Sequence, residues 1–276
     1  NTAAPQFNWT FDSSSPTMTI TSEEVADGAT SNDATLALTF TSSEATTDFA
    51  ESDITVANGA LSSFIASSST VYKATFTPTV AGATTIDVAG GTFTDAASNA
   101  NTAAPQFNWT LDSSSPTMTI TSAEVADGAT SNDATLALTF TSSEATTDFA
   151  ESDITVANGA LSSFIASSST VYKATFTPTV AGATTIDVAG ATFTDAASNA
   201  NTAAPQFNWT FDAIAPTLTN VSIASSNSSP TTANIDDVVT LTLTTDETIQ
   251  TPVVTFLSGG ASISDTSVVY ANTSGN

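Results

Sequence analysis

Carboxylates are almost the only side chains in this sequence that could carry out chemistry. The 276 residues include 27 Asp and Glu but only two Lys, and Arg, His and Cys are absent. Without His and Cys, the most common general bases and nucleophiles are missing. A pair of carboxylates can hydrolyse a glycosidic bond, but nothing in the sequence marks a cleft for a sugar. We therefore expect no enzymatic activity, and cation binding is the chemistry that this composition favours.

The side chains that could bind a cation occur in two sets with the same spacing. Calcium takes about six to eight oxygen ligands from carboxylates, amides and carbonyls. A competing interpretation is that these residues form turns and keep the surface soluble, because Asp and Asn favour turns for their own reasons. The first set is Asp12, Glu44, Asp48, Asp95, Asn99 and Asn101, and the second begins 100 residues later.

The charge balance excludes two classes of partner. The formal net charge is −25, whereas nucleic-acid binding requires Lys and Arg to replace the counterions on phosphate. Anionic lipid surfaces also attract basic residues and repel acidic ones. No apolar run approaches the roughly 20 residues that a transmembrane helix needs. We expect no nucleic-acid partner and no membrane insertion in this segment.

The sequence is dominated by a long internal repeat. Residues 1–100 and 101–200 are identical except at three pairs of positions, and residues 201–212 begin the unit a third time. A period of this length is too long for a solenoid unit and matches a whole β-sandwich domain. The three differing pairs are Phe11/Leu111, Glu23/Ala123 and Gly91/Ala191.

Apolar and polar side chains alternate along several short segments of each unit. Clear examples are residues 36–40, 72–76 and 107–111, and this period of two is typical of half-buried strands. Turn signals such as Asp27-Gly28 separate the segments. Counting a weaker segment near Leu61, each unit contains seven predicted strands. We predict an all-β fold of tandem immunoglobulin-like (Ig-like) seven-strand β-sandwich domains arranged as an elongated rod.

The position of the linker sets the predicted domain boundaries. The run Asp-Ser-Ser-Ser-Pro at residues 12–16 separates the last strand of one unit from the first strand of the next. We therefore predict that residues 1–12 are the last strand of a preceding Ig-like domain. Residues 13–112 and 113–212 are then two Ig-like repeats, and residues 213–276 are a divergent, incomplete Ig-like domain.

Three runs in each unit carry a resemblance to a known family. They are LTFTSSE at residues 38–44, SDITVANG at 52–59 and FTDAASN at 93–99, and residues 238–247 of the third unit are similar to the first run. These runs resemble the bacterial Ig-like (Big) repeats of large extracellular surface and adhesin proteins, and similar repeats occur in surface proteins of some marine algae. That family usually has Gly where this sequence has Ser98 and Ser198. The resemblance implies a spacer, an adhesive stalk or a fibre subunit.

The predicted fold brings the candidate calcium ligands to one end of each domain. In a seven-strand sandwich, the entering linker, the loop after the second strand and the loop between the last two strands share that end. We predict calcium sites that stiffen the domain junctions, with the turn-forming role as the alternative. The predicted ligands are Asp12, Glu44, Asp95 and Asn99; Asp112, Glu144, Asp195 and Asn199; and Asp212 and Glu247.

Asparagines in Asn-X-Ser/Thr triplets are candidate glycosylation sites. Three of them belong to the repeated triplet Asn-Trp-Thr, in which the alternation places Trp inward and Asn outward. We predict that they carry glycans if the source is eukaryotic, and the alternative is chance in a Ser/Thr-rich chain. The candidates are Asn8, Asn108, Asn208, Asn220 and Asn272.

Two functions fit the sequence. The first is an extracellular, cell-surface spacer or fibre-forming stalk whose partners are neighbouring repeats of the same polypeptide or identical chains in a fibre. The near-identity of the units favours it, because a spacer needs length and stiffness rather than unique surfaces. The alternative is an adhesin repeat that binds a partner surface or glycan directly, since loops and edge strands can carry such a site.

Overall fold

The computed structural model describes residues 2–46, 48–146, 148–258, 260–262 and 269–271. The chain divides into two compact units, one ending at Phe211 and the other beginning at Asp212. The first unit contains both copies of the repeat, called here repeat 1 and repeat 2. In the described ranges, no helix is long and apolar enough to cross a membrane.

Repeat 1 consists of eight strands and one short 3-10 helix. The strands are β1 (Met18–Ser22), β2 (Ala29–Ser31), β3 (Leu36–Ser42), β4 (Ile54–Ala57), β5 (Gly59–Ala66), β6 (Val71–Pro78), β7 (Gly82–Val88) and β8 (Phe107–Leu111), and the 3-10 helix Glu51–Asp53 precedes β4.

Repeat 2 has the same order of elements. Its strands are β9 (Met118–Ser122), β10 (Thr130–Ser131), β11 (Leu136–Ser142), β12 (Ile154–Ala157), β13 (Gly159–Ala166), β14 (Val171–Pro178), β15 (Gly182–Val188) and β16 (Phe207–Phe211), with a 3-10 helix at Glu151–Asp153.

Each repeat is a sandwich of two four-stranded sheets. In repeat 1 the sheet orders are β1-β3-β6-β5 and β2-β8-β7-β4, and repeat 2 has the equivalent orders. All neighbours pair antiparallel except β2 and β8, and their counterparts β10 and β16, which pair parallel. The predicted all-β Ig-like sandwich is confirmed, and all seven predicted strands are present. The eighth strand, β2, was not predicted, because its three residues Ala-Thr-Ser carry no apolar alternation.

The core lies between the two sheets and is rich in aromatic side chains. Phe40, Phe76 and Trp109 are at most 1% exposed. Phe49 packs edge-on against Tyr72 and Phe93, with ring centroids 4.9 and 5.1 Å apart. Such tilted pairs place the positive edge of one ring on the negative face of another. The core of each repeat therefore closes without a disulfide, in agreement with the absence of Cys.

The second unit contains two antiparallel hairpins among its described residues. Strand β17 (Leu218–Ser225) pairs with β18 (Val239–Thr245), and β19 (Leu257–Ser258) pairs with β20 (Ala261–Ser262). Several apolar side chains of the first hairpin are exposed, including Val221 and Ile223 at 56% and 62%.

The first copy of the Asn-Trp-Thr segment differs from the later two. No strand is present in residues 2–17. Phe7 and Trp9 are 88% and 75% exposed, whereas the equivalent Phe107 and Trp109 in β8 are 3% and 1% exposed. The same sequence is therefore buried where it pairs as the last strand of a repeat and exposed where it does not.

Candidate metal centre

The structure brings three carboxylates together at one end of each repeat. In repeat 1, oxygen atoms of Asp12, Glu44 and Asp95 all lie within 4.8 Å of one another. Asp12 precedes β1, Glu44 follows β3, and Asp95 lies in the loop between β7 and β8. The three side chains therefore come from three separate connections, as the sandwich topology predicted.

The same acidic cluster recurs in repeat 2. Its members are Asp112, Glu144 and Asp195, whose oxygen atoms also lie within 4.8 Å of one another. Asp112 immediately follows β8 of repeat 1, so this cluster lies where repeat 1 joins repeat 2. A cation bound here would connect the linker to two loops of the following domain.

The acidic loops, residues 95–99 and 195–199, are each held in shape by hydrogen bonds to the carboxylate of their first residue. One carboxylate oxygen of Asp95 accepts the backbone N–H groups of Ala97 and Asn99, both at 2.8 Å, and the other accepts Nδ2 of Asn99 at 2.8 Å. An ionised carboxylate offers about four acceptor positions, so about one remains for a cation. Ser98 adopts the left-handed conformation with φ of 69°, which explains why the resembling family favours Gly at this position.

Asn99 and Asn199 act in the structure as donors that attach the acidic loop to the linker. Nδ2 of Asn99 also donates to the carbonyl of Asp12 at 3.3 Å, and Nδ2 of Asn199 donates to the carbonyl of Asp112 at 3.0 Å. The ligand role of these two amides stays a prediction.

The electrostatics of the cluster differ from one carboxylate to the next. Partial burial, together with the charges of Asp12 and Asp95, raises the pKa of Glu44. Hydrogen bonds from the side chain of Asn99 and from the loop backbone lower the pKa of Asp95, against the effect of desolvation. The carboxylate of Glu44 has no hydrogen-bond donor among the described residues, so repulsion acts on it without compensation. Its acceptor positions are therefore open to a cation.

The donor set fits a hard divalent cation. Asp12 and Glu44 can each offer both carboxylate oxygens and Asp95 about one further position, or about five ligands in all, and calcium accepts such flexible, oxygen-rich geometry. Thiolate and imidazole ligands, which softer metals prefer, do not occur in the sequence.

Two residues at the same end of the domain, which are not among the predicted ligands, hold loops in place. The carboxylate of Asp48 accepts the N–H and hydroxyl of Thr94 at 3.0 and 2.7 Å. Desolvation acts to raise the pKa of Asp48, but hydrogen bonds from Thr46 and Thr94 outweigh it and lower the pKa. Asn101 is buried, and both atoms of its side-chain amide form hydrogen bonds to backbone groups. Its Nδ2, for example, donates to the carbonyl of Ala89 at 2.8 Å. Sequence spacing alone does not separate such loop-holding side chains from ligands.

The third predicted site, Asp212 and Glu247, is not a cluster of the same kind. Within the ranges that the structure describes, these residues belong to no group of three acidic side chains. One carboxylate oxygen of Glu247 is buried without a hydrogen-bond partner, and Asp212 caps its own turn by accepting the N–H of Ile214 at 3.0 Å.

The candidate glycosylation sites differ in accessibility. Asn8 and Asn220 are exposed, whereas Asn108 and Asn208 are half-buried in β8 and β16. Asn272 lies outside the described residues. Glycan occupancy at all five positions stays a prediction.

Comparisons with known proteins agree with the sandwich. A sequence profile of the bacterial Ig-like domain matches residues 12–110 and 112–211. No curated protein matches the chain.

Three solved bacterial structures are similar. InvD of Yersinia pseudotuberculosis is 17% identical, with 78% of this chain and 65% of the InvD chain covered at a TM-score of 0.35. The Escherichia coli adhesin FdeC is 14% identical, with coverages of 83% and 72% and a TM-score of 0.37. The adhesin InvE of Y. pseudotuberculosis is 14% identical, with coverages of 75% and 66% and a TM-score of 0.25. The chain thus spans just under two thirds of the two Yersinia chains.

Proposed function

Because this chain belongs to the bacterial Ig-like domain family, we propose that it is an extracellular spacer, part of a stalk or fibre of a large cell-surface protein. The observation that carries the proposal is the near-identity of the repeats outside as well as inside the core. The three differing pairs of positions all lie outside the buried core, and the rest of the surface is identical in the two repeats, so the loops vary almost as little as the packing. A spacer requires identical joints, whereas recognition of one partner requires a distinctive surface.

The acidic surface supports this role. A net charge of −25 repels neighbouring domains and keeps an extended polymer from collapsing. The partners in this proposal are neighbouring repeats of the same polypeptide or identical chains in a fibre, and no reaction is catalysed.

We further propose that calcium stiffens the joints through the acidic clusters. Asp112 belongs to the linker, while Glu144 and Asp195 belong to the body of repeat 2. A cation shared by these three carboxylates removes the bending freedom of the linker relative to the domain. It also neutralises the repulsion that raises the pKa of Glu144, where burial is the first cause and the charges of Asp112 and Asp195 follow.

Solution scattering and thermal unfolding of the 276-residue chain test the proposal. Calcium is expected to raise the melting temperature and the maximum dimension relative to a chelator. The double variant Glu44→Gln/Glu144→Gln should lose both effects, and the matched control Glu51→Gln/Glu151→Gln, on exposed positions of the 3-10 helices, should keep them. Unchanged melting and scattering in excess calcium would refute the calcium site.

Binding assays with the same 276-residue chain distinguish a spacer from an adhesive repeat. Beads coated with the chain should not bind to cells or glycan arrays above the level of beads coated with an unrelated acidic protein. Saturable binding that depends on one loop of the repeat would instead identify a repeat that contacts a partner directly.

A further inference from the structure

Repeat 1 contacts the acidic loop of repeat 2 through a neutral side chain. The backbone N–H of Asn32 donates to the carbonyl of Ala197 at 3.1 Å, and its side-chain Nδ2 donates to the carbonyl of Ser198 at 2.9 Å. Asn32 directly follows strand β2, so its position is set by the parallel pairing of β2 with β8.

The two acidic loops, identical in sequence, reveal what this contact does. Ala197 is 3% exposed and Asn199 is 8% exposed, whereas Ala97 is exposed and Asn99 is half-buried. The difference between the loops lies in their surroundings, because the Asn32 side of repeat 1 contacts only the second of them among the described residues. The contact therefore buries part of the acidic loop as well as forming hydrogen bonds.

The linker residue Asp112 is held from both sides. Its backbone N–H donates to the carbonyl of Ser31 in repeat 1 at 3.0 Å, and its carbonyl accepts Nδ2 of Asn199 in repeat 2 at 3.0 Å. Ser31 and Asn32 therefore contact the linker and the following domain with adjacent backbone groups.

We propose that Ser31 and Asn32 form a cation-independent clamp that fixes the orientation of the following repeat, whose acidic loop is the partner surface. The contact uses only amides and carbonyls, so it needs no bound cation. Each repeat carries both halves of the clamp. The counterpart Asn132 has the same sequence neighbours, and it has no hydrogen-bond partner within the described ranges.

Distance measurements between the repeats test the clamp. The sequence contains no Cys, so spin labels at Ser67→Cys and Ser167→Cys, both exposed loop positions, report one distance by pulsed electron spin resonance. In chelator, the parent is expected to give one distance peak, which calcium narrows further because the cation removes the remaining bending of the linker. Asn32→Ala should broaden that peak, and the matched control Asn132→Ala should leave it unchanged.

Hydrogen exchange provides a second readout that needs no substitution. The amide of Asn32 is bonded to Ala197, whereas that of Asn132 lacks an acceptor in the described structure. Peptides that begin at Glu23 and at Ala123 differ in mass, so mass spectrometry distinguishes the two copies. We expect one additional slowly exchanging amide in the peptide from repeat 1.

The outcomes separate the clamp from the calcium proposal. A broad parent peak in chelator that narrows only with calcium would overturn the clamp and leave the calcium joint standing. Equal peak widths for Asn32→Ala and Asn132→Ala would also overturn it. Broadening in Asn32→Ala, together with no response of the parent to calcium, would support the clamp and remove calcium from the joint.

Discussion

Replacing Glu144 with Gln tests the electrostatics of the cluster, because its effect should change sign with calcium. Glu144 is the cluster member whose pKa is raised, by burial first and then by the charges of Asp112 and Asp195. The substitution keeps the shape of the side chain and removes its charge. Without a cation it relieves repulsion, and with a cation it removes a ligand.

The expected size follows from the separation of the charges. The three oxygen atoms lie within 4.8 Å of one another, and two unit charges at that distance in water repel by about 0.9 kcal/mol. Salt at about 0.15 M, with a Debye length of about 8 Å, reduces this to about half. Removing two such repulsions should stabilise the cation-free repeat by about 1 kcal/mol, or about 4 °C in melting temperature.

In calcium the same variant should be the less stable protein. A ligand at about 100 times its dissociation constant stabilises a folded domain by about 2.7 kcal/mol, and the variant should lose most of this gain. Differential scanning calorimetry in chelator and in calcium measures both effects, with Glu151→Gln as the control of equal charge change. If Glu144→Gln lowers the melting temperature in chelator, the carboxylates are not in repulsive contact and the electrostatic argument is wrong.

Three further predictions concern the sandwich that supports the cluster. Gly159→Ala should unfold at a clearly lower temperature, because an added Cβ would lie 2.2 Å from the ring of Phe176, and overpacking typically costs about 1–3 kcal/mol. Trp109→Ala should cost about 3–5 kcal/mol in chemical denaturation, whereas Trp9→Ala, in the same sequence but 75% exposed, should have almost no effect. Desolvation acts to raise the pKa of Asp148, but hydrogen bonds from Thr146 and Thr194 outweigh it and lower the pKa. The contribution of Asp148 to stability is therefore present above about pH 4 and lost as pH falls below its folded pKa. The melting difference between the parent and Asp148→Asn should therefore shrink as pH falls from 7 to 3, and a constant difference would contradict this.

Much of the fold was predictable because its signals are local and repeated. Alternation places Leu36, Leu38 and Phe40 on one face of β3, and all three are at most 1% exposed. The meeting of Asp12, Glu44 and Asp95 also followed from the sequence, since sandwich topology dictates which connections share an end. These predictions required only the period of the strands and the order of the turns.

The remaining features depend on contacts that no local pattern encodes. Strand β2 forms because β8 offers a free edge, and its own residues carry no apolar alternation. In the sequence Asp48 was indistinguishable from a possible cation ligand, but in the structure its carboxylate accepts a hydrogen bond from Thr94. Asn32 had no feature that marked it, because its partners lie 165 and 166 residues away in the acidic loop of the next repeat.

The parallel pairing of β2 with β8 determines how each repeat would respond to a stretching force. The chain enters a repeat through β1 and then β2, and it leaves from the end of β8. Once β1 has detached from β3, tension along the polypeptide draws β2 and β8 in opposite directions along their length. Their hydrogen bonds, extended by those from Gly28 to Asn108 at 2.7 Å and from Asp112 to Ser31 at 3.0 Å, are then loaded together in shear. They cannot open one after another, as they would in a hairpin pulled from its ends. In repeat 1, the strand that would carry this load has only three residues, Ala29–Ser31.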